Sequence, residues 1–264
     1  MKVRLDLLLV SRGLAESRTR AQALVMAGKV RVDGQVETKA SRQLPPDAPV
    51  EIESPPRFVS RGGEKLEGAF AAFGEGSGTE PPLDARARIC LDVGSSTGGF
   101  TDCLLQHGAA RVMAVDVGTN QLAYSLRTDP RVWVRENYNA RFLKAEDLPE
   151  TPTLAVTDVS FISLRLILPP IAEVLAPGGC AVALIKPQFE VGRGNAPGGL
   201  VKDARLREEA RDGIVRFAVE TLGLELLGLA ESPVRGREKG NIEYLSYWRK
   251  PGEQAGNPPG GTAL

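Results

Sequence analysis

The sequence predicts an α/β protein: a seven-stranded sheet with helices on both faces, preceded by a small α+β module. Three observations carry this. Apolar runs of strand length alternate with helical patterns between about residues 89 and 248. The stretch Cys90-Leu-Asp-Val-Gly-Ser-Ser-Thr-Gly-Gly-Phe-Thr101 reads as strand, glycine-rich turn and helix start. The first sixty residues follow another pattern, with two short helices, a tight turn and a local excess of basic residues.

A chain of 264 residues is long enough for two domains and a sizeable core. Its 33 basic and 33 acidic residues balance, so the distribution of charge is informative and the total is not. Three cysteines with no C-x-x-C spacing fit a reducing cytoplasm better than a disulfide framework. One histidine, His107, excludes a histidine-rich metal site, and no metal is expected. The first ten residues hold an apolar run too short for a signal peptide, and no apolar run reaches the ~18 residues of a membrane span.

Along the chain, Leu5, Leu8 and Leu9 predict a short helix stopped at Gly13. Ser17 is the expected N-cap of a second helix that ends at Gly28. Val30-Arg31-Val32 followed by Asp33-Gly34 reads as a strand and tight turn. Between positions 11 and 31, Arg12, Arg18, Arg20, Lys29 and Arg31 face a single acid, Glu16, and could line one phosphate-facing surface. The residues Arg4-Leu5-Asp6, Gly13, Ser17-Arg18, Ala21, Leu24, Gly28 and Val30-x-Val-x-Gly34 resemble the S-four-type RNA-binding domain. That resemblance implies RNA contacts from Arg4, Arg12, Arg18, Arg20, Lys29 and Arg31. The module is expected over residues 1–60, with a linker at about 55–63 rich in turn residues.

A helix is expected over residues 64–73, then a loose loop to Pro82. The second domain, residues 64–250, carries expected strands at 89–93, 111–115, 132–134, 154–157, 181–185, 224–229 and 244–248. Helices are expected at 99–106, 121–127, 164–175 and 204–222, with Pro169-Pro170 kinking or restarting the third. Residues 191–200 hold four glycines and Pro197 and predict a mobile loop where a lid would sit. The tail, residues 251–264, is expected to be disordered.

In the glycine-rich stretch, glycines allow close backbone approach to a ligand, and the helix start offers free N–H groups. The next strand ends in Asp116, 24 residues after Asp92, where an acid can bind both hydroxyls of a ribose. The unit reads as a nucleoside-cofactor pocket. A dinucleotide fingerprint would be G-x-G-x-x-G. Here the glycines are Gly94, Gly98 and Gly99, with an acid two positions before the first. This resembles the S-adenosylmethionine-dependent methyltransferases and implies their Rossmann-like seven-stranded sheet. Asp92, Gly94, Ser95, Ser96, Thr97, Gly98, Gly99, Phe100 and Asp116 would then contact S-adenosylmethionine. Asn137, in Arg-Glu-Asn-Tyr-Asn, is either an adenine-side contact or a turn residue.

Four charged residues belong together. Lys65 lies in the helix before the first strand of the sheet, and Glu243 starts the last strand. Asp158 and Lys186 each follow a strand, at the carboxyl edge where open α/β sheets bind ligands. A lysine ending a buried apolar strand is costly without a partner or a task. The set resembles the Lys-Asp-Lys-Glu tetrad of FtsJ-like methyltransferases. With the N-terminal module it resembles the TlyA family, RNA 2′-O-methyltransferases also described as haemolysins. The matching motifs are Arg61-Gly-Gly-Glu-Lys65, Asp92 to Asp102, Asp116-Val-Gly, Thr157-Asp-Val-Ser-Phe-Ile-Ser163, Lys186-Pro-Gln-Phe-Glu190 and Lys239-Gly-Asn-x-Glu243.

The resemblance implies methylation of a ribose 2′-hydroxyl in ribosomal RNA. Lys186, desolvated and beside Lys65, would take the hydroxyl proton, Asp158 would orient Lys186, and Glu243 would place Lys65. The partners implied are ribosomal RNA or ribosomal subunits, with no membrane, and the chain is expected as a monomer or weak dimer in the cytoplasm. A membrane-active haemolysin would need a span or a long cationic amphipathic helix, and neither is present in the sequence. A non-catalytic ribosome assembly factor would not need an intact tetrad, and a base or small-molecule methylase would not need Lys65 and Glu243.

Overall fold

In the computed structural model the chain divides into two compact units, Met1–Pro56 and Arg57–Leu264. The structure describes residues 2–53, 56–192, 194–236 and 240–252. Lys239 of the last motif, Arg193 of the glycine-rich loop and residues 253–264 of the expected tail lie outside the described residues.

The first unit runs β1 (Val3–Arg4), α1 (Leu5–Ser11), α2 (Arg18–Met26), β2 (Val30–Val32), β3 (Gln35–Glu37), β4 (Gln43–Leu44) and β5 (Val50–Ile52). Ser17 caps α2 as expected, its side chain accepting from Arg20 N–H at 3.2 Å. β2 pairs antiparallel with both β3 and β5, and the Asp33-Gly34 turn joins β2 to β3 with both residues at positive φ. Leu5, Leu9, Ala21, Val25 and Val30 form a small closed core.

The second unit opens with α3 (Gly62–Phe73) and then alternates. The order is β6 (Ile89–Val93), α4 (Gly99–Gln106), β7 (Arg111–Val115), α5 (Tyr124–Arg127), β8 (Val132–Arg135) and β9 (Leu154–Thr157). Then follow α6 (Leu168–Val174), β10 (Cys180–Ile185), α7 (Pro187–Glu190), α8 (Ala204–Arg216), β11 (Glu225–Glu231) and β12 (Tyr244–Arg249). The seven strands lie in the order β11-β12-β10-β9-β6-β7-β8. The five strands from β6 to β10 run parallel to one another, and β12 enters antiparallel between β10 and β11.

Alternation along the central strands splits the core in two. Cys90, Val112, Leu154, Val182 and Tyr247 pack with α3 and α4 on one face. Leu91, Met113, Ala155, Ala183 and Trp248 pack with α6 and α8 on the other. Strand β10 is buried at all six positions, as a central strand covered on both faces must be.

Three helices are shorter than their patterns suggest. The helix expected over 164–175 begins as a 3₁₀ turn, Leu164–Leu166, and restarts as α6 with Pro169 and Pro170 in its first turn, where a missing N–H costs nothing. The helix expected over 204–222 changes to a π-helical turn at Phe217–Thr221. The helix expected over 121–127 begins only at Tyr124, because the N–H groups of Asn120, Gln121 and Leu122 donate to the Glu136 carboxylate instead.

Candidate active site

The glycine-rich loop between β6 and α4 is built for close approach. Gly98 has φ +100°, and a Cβ there would stand 2.3 Å from Leu126 Cδ1. A Cβ on Gly99 would stand 2.7 Å from the backbone nitrogen of Gly63, so the starts of α3 and α4 meet backbone to backbone. Gly63 answers to another neighbour, since a Cβ there would stand 2.2 Å from Phe58 Cγ, whereas one on Gly62 would meet nothing closer than 3.4 Å. The first turn of α4 has no side-chain cap. Asp116, just past β7, accepts the Ser96 N–H at 2.8 Å on one oxygen and the Gly118 N–H at 2.7 Å on the other. It therefore sets the shape of the loop from the neighbouring strand end.

Asp92 is fully buried and accepts from Thr101 Oγ1 at 2.7 Å, and its other oxygen has no partner. Desolvation pushes its carboxyl up to about 7, with the negative charges of Asp158 and Asp116 adding to the rise while the Thr101 bonds oppose it. It lies beneath the loop and is not part of the cavity wall. Asn137 is exposed, at φ +60°, in a turn where its N–H donates to Gly118 O, and it does not line the cavity either.

A cavity of about 680 Å³ opens at the carboxyl edge of the sheet within this unit. Gly94, Ser95, Ser96, Thr97, Gly99 and Phe100 line one side. Lys65, Asp158, Lys186 and Glu243 line the other. Four segments bring them in. Lys65 comes from the first turn of α3, Asp158 follows β9, Lys186 follows β10, and Glu243 precedes β12. The antiparallel register Ile185↔Tyr244 makes the end of β10 and the start of β12 neighbours, which juxtaposes Lys186 and Glu243 although 57 positions separate them in the chain.

Lys186 Nζ lies 2.5 Å from Asp158 Oδ1 and donates to Ser160 Oγ at 2.8 Å. Lys65 Nζ lies 2.7 Å from Glu243 Oε2 and donates to Asp158 Oδ2 at 3.3 Å. The two shortest are ion contacts rather than aligned hydrogen bonds, since neither carboxylate oxygen has a hydrogen-bond partner. Lys65, Lys186 and Glu243 are each at most 9% exposed, a burial that charged groups tolerate only when paired. Two ammonium and two carboxylate groups alternate, so the cluster is neutral as a whole, and Asp158 bridges both lysines.

Several cavity residues were not singled out by sequence reasoning. Ser160, Phe161, Gln188 and Phe189 sit inside the two motifs that carry Asp158 and Lys186, so the motif spans were the available signal. The Phe161 and Phe189 rings meet at 5.3 Å. Glu190 ties the two motifs together, accepting from Ser163 Oγ at 2.6 Å and Leu164 N–H at 2.8 Å, and burial raises its carboxyl above the usual range. In the loop after α7, the Asn241 side chain accepts from Val201 N–H at 3.0 Å and donates to Gly199 O at 2.7 Å, pinning the end of the segment.

The basic residues of the first unit are mostly engaged within it. Arg4 and Arg18 both bind the Asp6 carboxylate, at 2.9 and 3.1 Å, and Gln22 joins them at 2.8 Å. The Arg4 hydrogen bond, chief among these contacts, holds Asp6 far below the usual carboxylate range. Arg12 donates to Ala48 O and Pro46 O, Lys29 pairs with Glu53, and Arg31 donates to Gly34 O. Arg20 is exposed, and its side chain has no partner among the described residues.

The fold and the cluster at its carboxyl edge define a methyltransferase domain of the FtsJ-like type joined to an S4 domain. The FtsJ-like methyltransferase model matches residues 58–250 and the S4 domain model residues 3–50. The 16S/23S rRNA (cytidine-2′-O)-methyltransferase TlyA of Mycobacterium tuberculosis is 43% identical over 96% of this chain and 92% of its own. Hemolysin A of Brachyspira hyodysenteriae is 42% identical over 93% of this chain and 99% of its own. A solved hemolysin-named protein from Streptococcus thermophilus superimposes with a TM-score of 0.70 at 42% identity, covering 95% of this chain and 89% of that one. The chain belongs to the TlyA family of FtsJ-like methyltransferases. Among the described residues no helix is long and apolar enough to cross a membrane.

Proposed function

We propose that this chain transfers a methyl group from S-adenosylmethionine to a ribose 2′-hydroxyl of ribosomal RNA in the cytoplasm. The observation that carries the reading is the convergence of Lys65, Asp158, Lys186 and Glu243 in one cavity with the glycine-rich loop. The M. tuberculosis relative, similar along nearly the whole chain, bears the corresponding activity in its name.

The loop suits the cofactor. Gly94, Ser95, Ser96, Thr97 and Gly99 line the cavity, the start of α4 is uncapped, and Asp116, outside the cavity wall, fixes the loop through the Ser96 and Gly118 N–H groups. S-adenosylmethionine supplies a methyl on a sulfonium, a good leaving group, so positioning accounts for much of the rate. The 2′-hydroxyl must lose its proton as its oxygen bonds the methyl carbon. Lys186 in its neutral form accepts that proton at Nζ. Asp158 and Ser160 hold Nζ in place, and Glu243 holds Lys65 against Asp158. Arg20 and the S4 unit supply contacts to the RNA backbone.

The test is methyl transfer. Pure protein, labelled S-adenosylmethionine and ribosomal subunits are incubated, and 2′-O-methyl positions are mapped on the RNA. Incorporation at a defined ribose is expected. Absence of methyl from RNA, or its recovery only on a base, would sink the proposal.

A further inference from the structure

Beside the cavity lies a second hollow of about 350 Å³, and two residues, Arg235 and Asn241, belong to both walls. Its lining is cationic: Lys202, Arg207 and Arg235, with no carboxylate among the described residues that form it. Lys202 and Arg235 are exposed, and neither side chain has a partner among the described residues. Both are therefore available to an anion. In a chain with equal numbers of acidic and basic residues, a hollow of one sign is a departure from the average surface.

The hollow is built rather than incidental. Asn241, 5% exposed, is its floor, bonded to Gly199 O and Val201 N–H, while its own carbonyl accepts from Gly236 N–H at 2.9 Å. These bonds fasten the 199–201 segment to the turn that leads into Glu243. Arg207, from the first turn of α8, donates through Nη1 to Val201 O and Lys202 O and so is fixed in the wall. Its Nε is buried with no partner, a donor on a cation that awaits an acceptor.

We propose that this hollow binds the phosphodiester backbone of the substrate strand next to the nucleotide being methylated. The proposal rests on the ribose-methyltransferase reading. A ribose held at the tetrad carries a phosphate on each side, and the strand must leave the cavity through a wall. The wall shared by the two hollows is formed by a cation and a fixed amide, and beyond it lie two further cations. Lys202 and Arg235 neutralise phosphate charge there, and Arg207 shapes the site from behind. The contacts carry no base information, so they fix the register of the strand over Lys186 without selecting its sequence.

Full-length wild type, Lys202→Gln, Arg235→Gln and the double variant are compared for binding of a single-stranded ribosomal RNA fragment across a salt series. Cofactor binding is measured by calorimetry as the control for folding. The double variant should lower the salt slope by about 1.4, at ~0.7 per single-strand phosphate contact, and raise KM for RNA. Each single variant should give about half that change. A slope unchanged in the double variant, with wild type binding and methylating normally, overturns the hollow and leaves the activity intact. Loss of affinity at constant slope also overturns it, because the residues would then act through shape. Wild type that neither binds nor methylates RNA overturns the underlying function, and this inference with it.

Discussion

Lys186 Nζ stands 2.5 Å from Asp158 Oδ1, and the same carboxylate accepts from Lys65 through its other oxygen. One aspartate at the end of β9 therefore fixes both lysines, and Glu243 holds Lys65 from behind. Removing any one of the four leaves a buried charge short of a partner. The cluster is accordingly sensitive to single substitutions, which separates proton transfer from positioning.

Lys186→Ala should nearly abolish methyl transfer while cofactor and RNA binding persist. Loss of a general base costs roughly 10²–10⁴ in rate, and a proton that moves only in the transition state should register in turnover. Lys186→Arg keeps the ion pair with Asp158 but cannot accept a proton. Single-turnover methylation by Lys186→Arg near the wild-type rate would reduce Lys186 to a positioning charge.

Asp116→Ala removes the acceptor of the Ser96 and Gly118 N–H groups. S-adenosylmethionine should bind more weakly by about 1.5–3 kcal/mol, the scale of a hydrogen bond to a charged group. Calorimetry on folded variant protein decides it, and an unchanged Kd would remove Asp116 from the cofactor site.

Arg18 and Arg20 should behave differently, although they sit two positions apart. Arg20→Gln should lower the salt slope of RNA binding by about one unit and leave thermal stability alone. Arg18→Gln should lower the stability of the S4 unit, because it strips a partner from the buried Asp6 carboxylate. Equal loss of stability in both variants would contradict this division.

Asp92 titrates near 7 in the folded chain because it is desolvated, against an ordinary value of 3.8. The folded state thus holds a proton that the unfolded state has released between those values. The contribution of Asp92 to stability is fully present below about pH 4 and is lost as the pH rises towards 7. Asp92→Asn keeps an acceptor for Thr101 and removes the titration. Its melting temperature should fall less than that of wild type across this window, and parallel profiles for the two proteins would show that Asp92 is not the group responsible.

Much of the fold was legible because its signals are local. Strand-length apolar runs, the turn at Asp33-Gly34 and the N-cap at Ser17 depend on neighbours within a few residues, and each appears in the structure where its pattern stands. The carboxyl-edge placement of Asp158 and Lys186 follows from strand ends and the way parallel strands share a direction. The late start of α5 was not legible, because Glu136 competes for its first N–H groups from sixteen residues away. The RNA-facing reading of the N-terminal basic residues rested on local charge and on the resemblance to the S-four-type domain, and neither reveals that Arg4 and Arg18 are held by a carboxylate buried between them.

The sequence by itself determined the parts: a glycine-rich loop, an acid after the second strand, and four charged residues of the right kinds in order. It did so because these depend on residue type and short spacing. Only the tertiary structure decided that the four meet. That required β12 to enter antiparallel beside β10, in the register that sets Tyr244 against Ile185, and α3 to press its glycines onto the start of α4. Both are long-range choices, fixed by which apolar faces pack together and by how closely two backbones can approach.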